Sequence, residues 1–595
     1  MIMASAFRLT RGAQNEEIID WCTGSVAEGC RYRAAKNPNL EVLTFLGDGQ
    51  NPTARLTAQM LDKQAGCLSF WLNKLVQPGQ RVVLLFENGP DYLIGLFGCL
   101  YAGAIPVSGV YPTDFGSRQR FCHIVRDSQA VAVVGCKNVL SLFQKECASE
   151  NLGISWIPVE LSEKGQDYVY APRENEQEAL IQYTSGSTNI PKGVIITNRN
   201  IIFNLTQQGE ELGYAQGDVG VSWLPLSHDM GLMGSVLMAI GAGGQCILLP
   251  PEKFLEKPLN WLHAISTYKA TLSGGPGFAY EMCLNALTGP VTDLDLSCWD
   301  QAFIGSEAIS KDMLDRFTEK FSPYGFRDSA FCPCYGLAEA TLLVSSKPRG
   351  TERIAYPFSR EALLLGEVEV TDNPADAREL VSCGQVIADT DVVIMKNEAS
   401  LSPASEMEEG LIYIHGPGMA AGYCGYGSEV SSHFVYQEKN YFATGDKGFF
   451  VGEELFLTGR KNNEIILNGF AIDPEDLVFS VSKKTPYVSQ HNATVFLHGN
   501  IDPVPVFVCG LPHDVLVYAD DVFQDIQEIL YDKFRIEKGY VYFVSPSALN
   551  RTPSGKIIIK DTKIFLLENP KAILRKMEIL PRSAHGFRVI KQEKY

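Results

Sequence analysis

The sequence predicts an α/β protein of at least two domains, and three observations predict it. Short β-branched runs alternate with helix-period segments from Arg81 to Lys347, the pattern of buried strands layered between helices. The chain has 595 residues, more than one hydrophobic core sustains. Beyond Lys347 its character changes, first to a charged stretch, then to strand-rich sequence, then to a mixed α+β pattern. In chain order, strands are expected at Arg81–Phe86, Ala130–Val134, Ala179–Thr184, Gly193–Thr197, Cys246–Leu249, Ala270–Ser273 and Gln301–Ile304. Helices are expected at Ile201–Leu212, Leu259–Tyr268, Phe278–Leu287 and Lys311–Phe321, each with apolar positions at helical spacing. Met230–Pro251 is the most apolar stretch, but its glycines divide it into a buried helix and a strand.

Lys347–Ala388 has weak periodicity and reads as an insertion or elaborate connection. Asp391–Thr458 reads as a small β subdomain, with turn signals at Gly416-Pro417-Gly418 and Gly422. A boundary is expected near Arg460–Asn463, dividing the chain into 1–460 and a smaller α+β domain over 461–595. The segment after Pro581 is basic and polar and is expected to be loosely held.

Composition narrows the function classes. An apolar fraction of 45% and a charged fraction of 20% are ordinary for a globular protein. The net charge of −18 disfavours nonspecific attraction to nucleic acid or anionic lipid. The 15 cysteines are scattered and form no CxxC pair, which fits buried reduced thiols rather than a zinc site. Met1–Gln14 lacks the apolar centre of a signal peptide, and no stretch reaches the ~20 apolar residues of a membrane span. A cytoplasmic location is expected.

The most informative segment runs Tyr183-Thr184-Ser185-Gly186-Ser187-Thr188-Asn189-Ile190-Pro191-Lys192-Gly193-Val194, between two apolar strands. Thr184–Thr188 are all small and four of the five carry hydroxyls, so backbone N–H groups and hydroxyls are exposed together. Gly186 and Gly193 permit close approach, and Lys192 adds a mobile positive charge. Such a loop can wrap phosphate oxygens. It is not a Walker A loop, which needs G-x-x-x-x-G-K-[ST] before a helix. A Ser/Thr cluster alone would equally make a solvated hairpin turn; the Pro-Lys-Gly that closes this one favours phosphate.

This string resembles the phosphate loop of the adenylate-forming superfamily, which includes acyl-CoA synthetases, firefly luciferase and peptide-synthetase adenylation domains. The likeness continues in the same order over nearly the whole chain. It implies a large N-terminal domain, of two layered α/β subdomains and a small β-barrel-like subdomain, followed by a small mobile lid. Trp223-Leu224-Pro225-Leu226-Ser227-His228-Asp229-Met230-Gly231 is next. On chemistry alone a lone His is a satisfied core residue; the resemblance puts His228 beside the substrate carboxylate. Gly274, Gly275, Pro276 and Phe278 correspond to the turn that lines the acyl pocket, and Gly305, Ser306 and Glu307 to the segment against adenine. Tyr335 and Gly336 open the next motif, where an aromatic face can stack on a purine. Glu339, in the same motif, can ligate Mg²⁺, a hard ion that prefers oxygen. Asp446 matches the carboxylate that accepts the ribose hydroxyls, with Arg460 as its companion. Asn462 falls at the hinge, and Lys556, in Thr552-Pro553-Ser554-Gly555-Lys556, matches the catalytic lysine carried by the lid.

Within the superfamily the chain is most similar to the fatty acyl-AMP ligases, on Trp223-Leu224-Pro225, His228-Asp229-Met230-Gly231, Phe278-Ala279-Tyr280, Cys334–Thr341 and Gly98–Ala104. Lys347–Ala388 lies where those ligases carry an insertion associated with poor use of coenzyme A. The resemblance implies ATP and Mg²⁺, a fatty acid substrate, and transfer of the acyl group to the phosphopantetheine arm of an acyl carrier protein, often serving polyketide or peptide synthesis. The chain departs from the pattern at Asn462, Asn463, Ala471 and Asp473, which bear on lid rotation and thioester formation. An acyl-CoA ligase, an amino-acid-activating enzyme and a non-catalytic nucleotide- or acyl-binding regulator are the alternatives.

Overall fold

The computed structural model describes residues 24–579, apart from 110, 112–114, 147–151, 160–169, 172–173, 175, 185–190, 397–401, 426–432, 464, 468–469, 490, 500–502, 535 and 552–556. Two large sheets form the first part of the molecule. One has nine strands, with the order Gln385–Val386, Leu343–Ser346, Phe331–Gly336, Gln301–Ile304, Leu272–Gly275, Val219–Ser222, Gln245–Leu248, Glu41–Phe45 and Ala54–Thr57. Its six central strands run parallel. The second has seven strands, ordered Gly422–Tyr423, Lys192–Thr197, Glu178–Thr184, Ile105–Ser108, Arg81–Leu85, Ala132–Gly135 and Ser155–Pro158. Apolar side chains of both sheets and their helices merge into one continuous core, with Trp223, Trp261 and Trp299 buried in it. The β-branched runs pack on two faces at once, which is why they read as apolar rather than alternating.

A five-stranded antiparallel sheet follows, built from Asp391–Met395, Gly410–His415, Lys439–Val451, His433–Tyr436 and Glu454–Arg460. The 347–388 stretch before it is not a bare connection. Ala355–Ser359 pairs with Ala377–Val381, and the helix Arg360–Leu364 lies between them. Phe358, Leu363 and Leu380 pack on Phe449 and Phe456 of the five-stranded sheet.

After a single 3-10 turn at Lys461–Asn463, the chain builds a four-stranded sheet from Ala493–His498, Val504–Gly510, Gly539–Val544 and Ile573–Ile579. Helices Pro474–Ser482 and Ala519–Phe534 cover it, and Leu477, Val481, Val495, Phe507, Ile526 and Val541 form its own core. The fold is mixed α/β throughout. No helix among the described residues is long and apolar enough to cross a membrane.

Candidate active site

In parallel sheets, ligands bind beyond the carboxyl ends of the strands, where loops and helix N-termini gather. Four neighbouring strands of the nine-stranded sheet end in sequence-predicted site residues. Val219–Ser222 leads to His228, Leu272–Gly275 to Pro276 and Phe278, Gln301–Ile304 to Gly305-Ser306-Glu307, and Phe331–Gly336 to Glu339. Gly274 lets two of these strands approach, since a Cβ there would lie 2.0 Å from the Phe303 carbonyl. Ser306 and the buried Thr341 hold left-handed backbone, with φ of 72° and 68°. Strain of that kind gathers at functional sites.

The phosphate-loop candidate is the tip of a hairpin. Thr184 pairs with Lys192 and Tyr183 with Gly193. A Cβ on Gly193 would lie 2.7 Å from the Tyr183 ring, so the glycine lets that ring cover the hairpin. Ser185, Gly186, Ser187 and Thr188 lie outside the described residues, as does Lys556. The hairpin is tied to the other sheet at its base: Gln182 Nε2 donates to the Ser227 carbonyl at 3.0 Å, one residue before His228. His228 opens a short helical turn with its Nδ1 3.8 Å from Asp229 Oδ1. A π-helical turn, Leu232–Leu237, continues it, a distortion frequent at functional sites.

Glu339 sits in the 3-10 turn Ala338–Ala340. Its Oε1 accepts the Tyr423 hydroxyl at 2.6 Å, and its carbonyl accepts Ala420 N–H at 2.8 Å. Tyr423 belongs to the two-residue strand that pairs with Lys192–Thr197, and Lys192 Nζ lies 5.2 Å from the Tyr423 ring centroid. Lys192 and Glu339 are thereby joined through one tyrosine that the sequence reading did not single out. Burial, then the nearby Glu339 charge, pushes the Tyr423 phenol up, so it stays a neutral donor.

A second cluster lies at the junction with the five-stranded sheet. The buried Asp446 accepts the Tyr335 hydroxyl on Oδ2 and Arg460 Nε on Oδ1, both at 2.6 Å. The charge of Asp446 holds the Arg460 guanidinium firmly protonated, and burial keeps the Tyr335 phenol neutral. Tyr335 thus spends its hydroxyl orienting Asp446, a use not foreseen from its aromatic face. Each carboxylate oxygen retains a lone pair. A Cβ on Gly445, beside Asp446, would meet nothing within 4 Å, so the backbone there borders open space. Glu307 accepts the Phe278 N–H at 2.9 Å, joining the segment predicted for adenine to that predicted for the acyl chain. The backbone of Asn462 lies in the turn after Arg460; its side chain is outside the described residues.

A doubly layered α/β fold with carboxylate, cationic and hydroxyl groups converging at a strand edge defines a nucleotide-activating class of enzyme. The chain belongs to the AMP-binding enzyme family, whose model matches residues 30–424. It is 32% identical to the medium-chain-fatty-acid–[acyl-carrier-protein] ligase JamA of Moorena producens (strain JHB), over 90% of this chain and 94% of that protein. A solved structure among the fatty acyl-adenylate ligases of E. coli and L. pneumophila is 26% identical, with a TM-score of 0.83, covering 92% of this chain and 99% of that one. The fatty acyl-adenylate ligase of L. pneumophila in complex with acyl adenylate and pyrophosphate is 30% identical with a TM-score of 0.71, covering 93% and 98%.

Proposed function

We propose that this protein uses ATP to convert a fatty acid into an acyl-adenylate with release of pyrophosphate, and then passes the acyl group to the phosphopantetheine thiol of an acyl carrier protein. The observation that carries the reading is the link from Lys192 through Tyr423 to Glu339, which brings the base of the hydroxyl-rich hairpin to a carboxylate suited to a phosphate-bound cation. Likeness to JamA, named for a fatty acid and an acyl carrier protein, supports substrate and acceptor.

The residues present fit ATP and Mg²⁺. Among the described residues no three acidic, His or Cys side chains converge as a dedicated metal cage. A Mg²⁺ that shares one carboxylate with substrate phosphates and water needs only Glu339, whose second oxygen is left by Tyr423. The ion would supply charge neutralisation at the phosphates. Asp446, fixed by Tyr335 and Arg460, would accept the ribose hydroxyls over the open space at Gly445. Thr184, Ser185, Gly186, Ser187, Thr188 and Lys192 would hold the phosphates. Gly305, Ser306, Glu307 and Gly336 would border the adenine, and Gly274, Gly275, Pro276 and Phe278 the acyl chain, with His228 at its carboxylate. That carboxylate attacks the α-phosphorus in line, a new O–P bond forms, and pyrophosphate leaves. Lys556 would stabilise the negative charge that accumulates in the transition state. Residues 461–595 would act as the lid that carries it, turning about Asn462.

Fatty-acid-dependent exchange of labelled pyrophosphate into ATP tests the first step. Lys556→Ala is expected to reduce exchange nearly to background; full exchange in that variant removes the lysine from the mechanism. Incubating the enzyme with ATP, fatty acid and either holo acyl carrier protein or coenzyme A tests the second. Acyl-carrier thioester is expected, and robust acyl-CoA formation would replace the acceptor proposed.

A further inference from the structure

His491 lies just before the strand Ala493–His498, far from every motif that the sequence analysis singled out. Its ring meets Phe278 edge-on, with centroids 5.2 Å apart and planes at 66°. Among the described residues this is the one aromatic ring pair that joins residues 1–460 to the remainder. Phe278 is held from two other sides, by Glu307 on its N–H and by the Trp223 ring at 5.6 Å. The backbone carbonyl of His491 accepts the Arg551 guanidinium. Arg551 in turn pairs with Ile557 across the base of residues 552–556, the segment that ends in Lys556. A continuous set of contacts therefore runs from the segment assigned to the acyl pocket, through one imidazole, to the root of the lysine loop.

We propose that His491 is a positioning residue whose ring seats the C-terminal unit on Phe278 and thereby sets the register of the Lys556 loop against the bound acyl group. The inference rests on the fatty-acid activation proposed above. The ring serves as an aromatic face rather than as an acid or base: burial, and then the charge of Arg551, pushes the imidazole down to about 3, so it is neutral near pH 7. An edge-to-face pair of this kind is a geometric device, stable at one mutual orientation. The reaction needs such a device because the lysine and the acyl carboxylate sit on separately folded parts, and small displacements of reacting groups cost rate steeply. It also makes closure depend on the acyl pocket. If Phe278 is displaced, His491 has no seat, and Lys556 is not delivered.

The test is steady-state pyrophosphate exchange in wild type, His491→Ala and His491→Phe. The alanine variant keeps the carbonyl that Arg551 uses but loses the ring. It is expected to lose roughly 10- to 100-fold in the maximal rate of exchange, while the KM for ATP stays put because Tyr335, Asp446 and Arg460 are untouched. Phenylalanine restores a ring without an ionisable nitrogen and is expected to recover most of the rate. Wild-type rates in His491→Ala overturn the proposal. So does a phenylalanine variant as slow as the alanine one, which would make the imidazole nitrogens the active feature. Should His491→Ala fail to fold, Phe278→Leu removes the same contact from the other side. Its rate loss must then not add to that of His491→Phe; full additivity would mean that the two rings are uncoupled. Absence of fatty-acid-dependent exchange in the wild type is a different result, which overturns the underlying activity. Normal exchange in both wild type and His491→Ala overturns only the role of His491.

Discussion

Glu339 has two carboxylate oxygens, and Tyr423 occupies one of them at 2.6 Å. A carboxylate pinned in this way presents its other oxygen in a fixed direction, and an unpinned one samples rotamers that a cation must then freeze. Groups that orient a metal-binding side chain commonly matter about 10- to 100-fold in metal affinity. Tyr423→Phe keeps the ring beneath Lys192 and deletes only the hydroxyl. The Mg²⁺ concentration for half-maximal pyrophosphate exchange is expected to rise by roughly tenfold, with the KM for fatty acid little changed. An unaltered Mg²⁺ titration would mean that Tyr423 does not orient Glu339 for a metal. Glu339 itself was legible in the sequence because it sits in a dense local motif. Tyr423 was not, because its partner is 84 positions away and its strand has only two residues, too few for any periodicity to register.

The helix Pro474–Ser482 meets the Ala355–Val381 hairpin through four charges removed from water. Arg360 pairs with Asp476, and Arg378 lies 3.4 Å from Asp473 and 3.5 Å from Asp476. The charged sequence of 347–388 looked like a solvated connection because its arginines find their carboxylates only about a hundred residues later. The strands and helices between Arg81 and Phe321, by contrast, lie within two to three residues of their predicted bounds, since continuous apolar burial shows locally in sequence. Burial, then Glu475, pushes the Asp473 carboxyl up to about 7 against the pull of Arg378. A carboxyl raised on folding holds its proton more tightly in the folded state. Its contribution to stability is therefore full below the unfolded value of about 4 and is lost as pH rises through about 7. Asp476 behaves oppositely: burial acts to raise it, but Arg378 and Arg360 together hold it low. Between about pH 5 and 8, then, Asp473 sets the slope. The thermal midpoint of the wild type is expected to fall relative to that of Asp473→Asn over this range. Parallel midpoints in the two proteins would show that Asp473 carries no such proton.

At the scale of the whole molecule, residues 465–579 have a hydrophobic core distinct from the continuous core of the two large sheets. The covalent link between them is the turn Lys461–Asn463. The contacts that bridge them are local: the Arg360, Arg378, Asp473 and Asp476 cluster, the Phe278–His491 ring pair, and Leu364 against the smaller core. Two cores joined by localised contacts do not have to unfold together, and two-state behaviour is the exception in such chains. Calorimetry of the unliganded protein is expected to resolve two transitions. A ligand that touches both parts changes this, because it binds only when both are folded and docked. A non-hydrolysable acyl-adenylate analogue at about 100 times its Kd would add about 2.7 kcal/mol to the docked state. The smaller unit's transition should then move up towards that of the larger one, since its unfolding would now also require release of the analogue. ATP alone, held by Tyr335, Asp446 and Arg460 on the larger part, should raise mainly the larger transition. If the analogue shifted only the larger transition, leaving the smaller one in place, the C-terminal unit would not be closing on the adenylate, and the lid role assigned to residues 461–595 would fall.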